Sequence, residues 1–404
     1  MLLNLVHRSL RQHALSTLVT AGGIALAAGL LLAVWVVKTQ AQAVFASTNS
    51  GFDAVLGARG SKLQLVLNAV FHLEASPGNL PAADFEAFRN HPMARGAIKA
   101  AIPIAVGDNY RGWRIVGTVP ELFTGTEHAP GRPYRVAAGG RLFDPAQREA
   151  VVGALAARRL GLKPGDTFSP YHGLAFNPEA QHEEVYTVTG VLAPTNTPAD
   201  RVIWIPLQGV QSMGGHDPRA ATDLSAVLIQ LRAPTAGMLL DTMVNKQGNR
   251  MTFAYPIGTI VAELFNKINW VERVLALVAG LVAVVAAASV LVGIYNSMSA
   301  RARDLAILRA LGARRRTVFG AVIAEAAAIG LLGAALGFAV FAALAFGVTE
   351  LIQAQTGVRL EPWRWNPVFA WAPAALAGLA VLGGVVPALK AYRVPVAETI
   401  APVS

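Results

Sequence analysis

Hydrophobic and polar positions divide this chain into two regimes. Residues 14–37, 274–300, 326–349 and 365–389 carry no charged side chain. Each of these stretches exceeds the roughly 20 apolar residues that cross a bilayer. Membrane spans are expected at 14–37, 270–298, 317–348 and 367–389, preceded by a cytoplasmic amphipathic helix over 1–13. The interval 39–265 is different, because short apolar runs alternate there with polar and turn residues. "DFEAFRNHP" (84–92) reads as a helix, and "WRIVGTVP", "EVYTVTGVLAP" and "DRVIWIPL" read as strands. Residues 140–168 read as loop, strand, helix and Gly-Pro turn, and 224–257 as strand, helix, strand. The expected fold is four transmembrane α-helices with a large α+β extracytoplasmic domain of two lobes between the first and second.

One apolar pattern is more than a span. From Thr259 to Ser299 there is no proline, and the only glycines are Gly280 and Gly293. A single helix there would be roughly 60 Å long, against a hydrocarbon core of about 30 Å, so part of it should project as a stalk. Leu264, Ile268, Val271, Leu275 and Val278 recur at spacings of four and three between polar residues, which is a short heptad seam suited to packing on another helix. Leu63, Val66, Leu67, Val70 and Phe71 also share a helical face. That face fits an ordinary core helix or an apolar surface for lipidic or amphipathic cargo.

Composition and charge sharpen the membrane reading. The chain is 54% hydrophobic and 14% charged, with a mean hydropathy of +0.45, whereas soluble domains carry about 25% charge. The net charge of +10 does not point to nucleic acid, because the arginines cluster beside the spans and no basic stripe interleaves with aromatics. Arg8 and Arg11 precede the first span, six arginines fall between 301 and 316, and Lys390 and Arg393 follow the fourth span. By the positive-inside rule both termini, including a 390–404 tail, and the 301–316 loop face the cytoplasm. The 39–265 domain and a short 349–366 loop then face the periplasm, in a multi-pass protein of the bacterial inner membrane. Trp35, Trp270, Trp363, Trp365 and Trp371 lie at the outer ends of the spans, as an interfacial belt requires. "AQA" at 41–43 resembles a signal-peptidase site, but the apolar core before it is about 24 residues, longer than a secretory h-region. A retained span is expected.

Small residues recur every four positions at Ala21, Ala25, Gly29 and Ala33 and at Ala370, Ala374 and Gly378, and at spacings of four and three at Ala326, Gly330, Gly333 and Gly337. Such faces let helices approach closely in lipid. Glu325 is the one carboxylate well inside an apolar run. It is a candidate functional acid, although a Glu reaching the cytoplasmic interface or pairing there with arginine accounts for it more simply.

Catalytic chemistry is hard to find. There is no G-x-S-x-G, no H-E-x-x-H and no cysteine. "GARGSK" (57–62) lacks the phosphate-loop pattern. His72, His91, His128, His172, His182 and His216 are scattered without ligand spacing; "HEE" at 182–184 offers groups that can touch a metal, but a solvated loop is the simpler reading. A non-catalytic chain without bound metal or cofactor is expected.

"RARDLAILRALGARRRTVFGAVIAEAAAIGLLGAALGFAV" (301–340) and the tail "LGGVVPALKAYRVPVAETI" (382–400) resemble the MacB/FtsX-like permeases of type VII ABC transporters. "GRLFD", "VVGALAARRLGLKPGDTF" and "YTVTGV" resemble that family's outer domain. The resemblance implies four spans, a Porter-and-Sabre outer domain, and two permease copies, identical or not, on two ATPases that drive motions outside without a central pore. No G-x-x-x-x-G-K-[ST] occurs in the chain. ATP and Mg are therefore expected on a separate ATPase subunit, a layout similar to the lipoprotein-extracting LolC/LolE permeases. The resemblance makes 301–312 a coupling helix. Arg301, Asp304, Leu305, Leu308, Leu311, Gly312 and Arg314 would seat on the ATPase, with Gly312 ending the helix. Further implied partners are lipid and a periplasmic adaptor or lipoprotein. The competing role is an FtsX-like scaffold that controls a periplasmic hydrolase; the large outer domain favours transport.

Overall fold

The computed structural model describes residues 2–12, 14–47, 51–215, 221–300, 306–307 and 309–393. The chain divides into two compact units.

The membrane unit comprises 1–40, 268–349 and 361–404. Its helices are Leu2–Gln12, then TM1 (Ala14–Ser47), TM2 (Ile257–Ala300), TM3 (Arg315–Thr356) and TM4 (Val368–Arg393). All four TM helices contain a segment long and apolar enough to cross a membrane. TM1 and TM3 run several residues beyond the expected bounds of 37 and 348, because the flanking polar residues remain good helix formers. TM2 is one unbroken helix, as the lack of proline predicts. The bundle core holds Ala21, Ile24, Ala28, Val322, Ala326, Ile329, Leu376 and Ala380.

Two of the three small-residue stripes are packing faces. Ala21, Ala25, Gly29 and Ala33 are all buried. A β-carbon on Gly333 would lie 2.6 Å from Ile24 Cβ and 2.9 Å from the Ala21 carbonyl oxygen, and one on Gly337 would overlap Ala28 Cβ. TM1 and TM3 therefore touch backbone to backbone. Gly330 makes the same approach to Ala377 and Ala380 of TM4. Ala370, Ala374 and Gly378 instead lie on the exposed side of TM4, whose buried positions over 368–380 are Val368, Ala372, Leu376 and Ala380. The stripe there is not a packing face within this chain.

The second unit comprises 41–267 and 350–360. Its strands are β1 (Ala54–Ala58), β2 (Ile98–Tyr110), β3 (Trp113–Thr118), β4 (Glu127–Ala129), β5 (Arg132–Pro133), β6 (Glu149–Val152), β7 (Thr167–Phe168), β8 (Tyr171–His172), β9 (Tyr186–Val191), β10 (Ile203–Pro206), β11 (Ala226–Leu231) and β12 (Met251–Ala254). Ten of them form one mixed sheet in the order β12-β1-β11-β2-β3-β10-β6-β9-β7, with β8 also on β2; β4 and β5 pair separately. The β10–β3 and β6–β9 pairs are parallel and the other pairs antiparallel.

The long strand β2 joins two lobes. On one side, β12, β1 and β11 bury Leu56, Val227, Ile229 and Phe253 under the helices Ala82–Asn90 and Pro234–Asp241. On the other, β3, β10, β6 and β9 bury Ile115, Val152, Val188 and Ile205 around the helix Ala154–Leu160. A third apolar layer runs across both lobes and includes Phe52, Leu65, Phe71, Ile104, Val116 and Trp204.

Residues 350–360 are part of this unit and not merely a short loop. Asn196 brackets Arg359: its Oδ1 accepts from the Arg359 amide at 2.7 Å and its Nδ2 donates to the Arg359 carbonyl at 3.3 Å. Arg159 pairs with Glu350 at 3.2 Å, and Val358 and Leu360 are buried. Asn196 itself sits at φ +55°, in the left-handed region that Asn tolerates. Asp200 fixes that loop by accepting from the amides of Thr195 and Asn196 and from the Thr195 hydroxyl at 2.8–3.1 Å. Burial raises the Asp200 pKa, against the opposing pull of these hydrogen bonds.

Candidate functional site

Of the residues expected to seat on an ATPase, Arg301, Asp304, Leu305 and Leu308 lie outside the described residues. The remaining three stand between TM2 and TM3. The Leu311 amide donates to the Ile307 carbonyl at 2.9 Å, so residues 307–311 close a helical turn. Gly312 follows at φ +100°, and its amide donates to the Arg309 carbonyl. A left-handed residue stops a helix, and only glycine takes that conformation without strain. Leu311 is 80% exposed and Ile307 is exposed one turn before it, while Ala306 is buried. Arg314, Arg315 and Arg316 are exposed just after the stop. The chain thus presents an apolar pair flanked by cations, an arrangement that a solvated loop has no need of and that suits a protein contact.

The neighbouring helix ends are tied together. The Ser9 hydroxyl, on Leu2–Gln12, donates to the buried Glu325 of TM3. Glu325 is therefore an anchor for the N-terminal helix, a partner that the sequence reading did not include. Lys390 of TM4 donates to the Tyr295 hydroxyl of TM2, with its ammonium 3.8 Å from the ring centroid, and Arg315 lies 5.7 Å from the Tyr392 ring. At the opposite end Trp35 meets Trp371 edge-on at 5.8 Å, and Gln40 exchanges two hydrogen bonds with the Glu361 backbone. Trp270, Trp363 and Trp365 are exposed, as an interfacial belt requires.

The stalk seam is less distinct than its spacing suggests. Val271, Leu275 and Val278 are exposed, but so are Trp270, Val274 and Leu277 on the other faces. Leu264 is half-buried, and the Ile268 side chain lies outside the described positions. Among the described residues, the exposure of Val271, Leu275 and Val278 does not distinguish the seam from its flanks.

The cargo-surface option for 63–71 is corrected by burial. Val66, Val70 and Phe71 are buried in the third apolar layer, and Leu63 and Leu67 pack against it. The helix Lys62–Ala69, with Ser61 accepting from the Gln64 amide, is a core helix. Its apolar face meets the sheet, because β1 and β12 offer it a buried surface.

The histidine reading is corrected too. His182 is not in a solvated loop: its side chain is 7% exposed, with Nε2 3.2 Å from Asp108 Oδ1. His172 Nδ1 lies 3.7 Å from the same oxygen. Sequence spacing could not reveal this cluster, because β8 pairs with β2 across the hairpin that β2 forms with β3. A separate buried histidine, His72, packs edge-on against Trp204 at 5.6 Å. Burial first, and then the charges of Arg114 and Arg201, hold its pKa well below the usual histidine range. Arg114 is itself lowered to about 10, mainly by burial.

These features define a multi-pass membrane protein with four spans and a large mixed α/β domain between the first and second. The sequence profile of the MacB-like periplasmic core domain matches residues 15–237, and that of the FtsX-like permease C-terminal region matches 276–396. The chain belongs to the MacB/FtsX-like permeases. It is similar to the macrolide export ATP-binding/permease protein MacB of Chromobacterium violaceum, with 28% identity over 163 residues. That match covers 39% of this chain and 24% of the relative, so the chain spans about a quarter of the relative's length.

Proposed function

We propose that this chain is the permease subunit of an ABC machine that converts ATP hydrolysis on a separate subunit into periplasmic motion. That motion drives efflux or extraction of an amphipathic or lipidated cargo. Two permease copies would sit on two ATPases, which hold the ATP and Mg, with both permease termini in the cytoplasm. The carrying observation is the exposed Ile307–Leu311 pair, stopped by a left-handed Gly312 and followed by Arg314–Arg316. An apolar knob of this kind suits a cleft on a partner, and the arginines suit acidic or headgroup surroundings. The unbroken Ile257–Ala300 helix supports rigid transmission between the two ends of TM2.

The test is Leu311→Asp. Leu311 is exposed, so the fold should be unaffected; a carboxylate forced into an apolar cleft would be buried without a partner. Co-purification with a co-expressed ABC ATPase subunit that binds the wild-type permease is expected to fall by at least tenfold, with unchanged melting of the permease alone. Full recovery of the complex would reject the coupling assignment.

A further inference from the structure

We infer that the extracytoplasmic domain carries a binding site for a first-row divalent transition cation, with Asp108, His172 and His182 as ligands. The ligand atoms are Asp108 Oδ1, His172 Nδ1 and His182 Nε2, all within 4.8 Å of one another. Ligand bonds of about 2.0–2.2 Å at tetrahedral angles place neighbouring donors roughly 3.3–3.6 Å apart. The observed 3.2 and 3.7 Å from Asp108 Oδ1 already bracket that spacing. The remaining closure falls on His172, which is 52% exposed and has room to turn.

The site is built by the fold. Gly107 is an extra residue in β2, because the β3 register passes from Val106–Val116 directly to Asp108–Ile115. Such a bulge re-aims the side chain beside it. On the other edge of β2, β11 pairs only as far as Ile104, and β8 takes over with Asp108 opposite His172. The chain then returns, with the His172 amide donating to Ala180 and the His182 amide to Pro170, which brings His182 back beside His172. Buried Asn109 locks this arm: its Nδ2 donates to the carbonyl of Gly173 at 2.8 Å and of Ala175 at 3.2 Å, and its Oδ1 accepts from Gly112. Tyr110, Tyr171 and Phe176 pack alongside.

Chemistry favours a cation over a plain ion pair. Asp108 is fully buried, and a buried carboxylate is stabilised most by a full positive charge held close. Two imidazoles and one carboxylate suit zinc and its first-row neighbours, not calcium or magnesium. Beside the cluster, His172 and Gly107 also line an open cavity of about 330 Å³ with Asn79, Gln211, Asp223 and Ser225, which gives a further donor access to the site. Water, or a donor group from a partner or cargo, could complete the shell there. This inference does not depend on the ATPase assignment above.

The experiment uses the full chain in detergent, purified through a histidine-free tag and stripped with chelator. Zinc sulfate is titrated at pH 7.5 against a chromophoric chelator. One equivalent per chain is expected. His172→Ala should weaken it by at least tenfold, while His91→Ala, an exposed histidine outside the cluster, should leave it unchanged. Zinc-free melting curves check that both variants are folded. X-ray absorption on the zinc-loaded wild type should show a nitrogen and oxygen shell with at least two imidazoles. No stoichiometric zinc, an unchanged affinity in folded His172→Ala, or fewer than two imidazoles would overturn the site.

Discussion

Gly333 and Gly337 sit where TM3 meets TM1 without side chains between the backbones, so replacing both with alanine tests that seam directly. An alanine at 333 would bring its methyl carbon to 2.6 Å from Ile24 Cβ and 2.9 Å from the Ala21 carbonyl oxygen. Ordinary carbon contacts lie near 3.5–4.0 Å, so the helices must part by roughly 1 Å. Neither neighbour is the far end of a flexible chain, and overpacking of this kind costs about 1–3 kcal/mol per site. Alanine regains about 0.8–1.0 kcal/mol of helix propensity at each position. The double variant should therefore lose between roughly 0 and 4 kcal/mol, centred near 2. Gly378→Ala is the matched control: nothing lies within 4 Å of its added carbon, so only the propensity gain remains. The assay is thermal unfolding of the full chain in one detergent, read by intrinsic fluorescence. The double variant should melt below Gly378→Ala, which itself should melt at or slightly above wild type. If the double variant melts with or above the control, TM1 and TM3 do not pack as described.

Two further outcomes follow from the domain. Asn196→Ala removes two hydrogen bonds to Arg359 and puts alanine at φ +55°, a loss of about 1–3 kcal/mol; Asn196→Gly restores only the conformational part. Hydrogen exchange at the Arg359 amide should speed up in both variants, and unchanged exchange would contradict the bracket. The depressed pKa of His72 means that, from the usual value of 6.5 down to its folded value, the unfolded chain binds more protons than the folded one. Its contribution to stability is complete above about pH 6.5 and is lost as the pH falls through that window. His72→Gln should flatten the acid limb of a melting-temperature profile below about pH 6.5, and an equally steep limb would exclude His72 as its source.

The four spans were legible because freedom from charge over a bilayer's thickness is a local property. The same holds for the strands that alternate or carry β-branched residues, such as β9 and β10, and for the unbroken TM2. β1 and β2 were not read. "AVLGA" is buried at every position and shows no alternation, and β2 holds Ala, Gly and Pro, which are poor strand formers. Inward and outward were also beyond the pattern. The 63–71 face was equally apolar as core or as cargo surface until β1 and β12 covered it, and the TM4 stripe looked like its neighbours until Ala372 and Leu376 took the buried side. The cluster of Asp108, His172 and His182 lies furthest from the sequence pattern. Periodicity tells which face a residue shares with near neighbours, but strand pairing across distant segments depends on register. Only the bulge at Gly107 and the change of edge partner from β11 to β8 bring one carboxylate and two imidazoles within a ligand's reach.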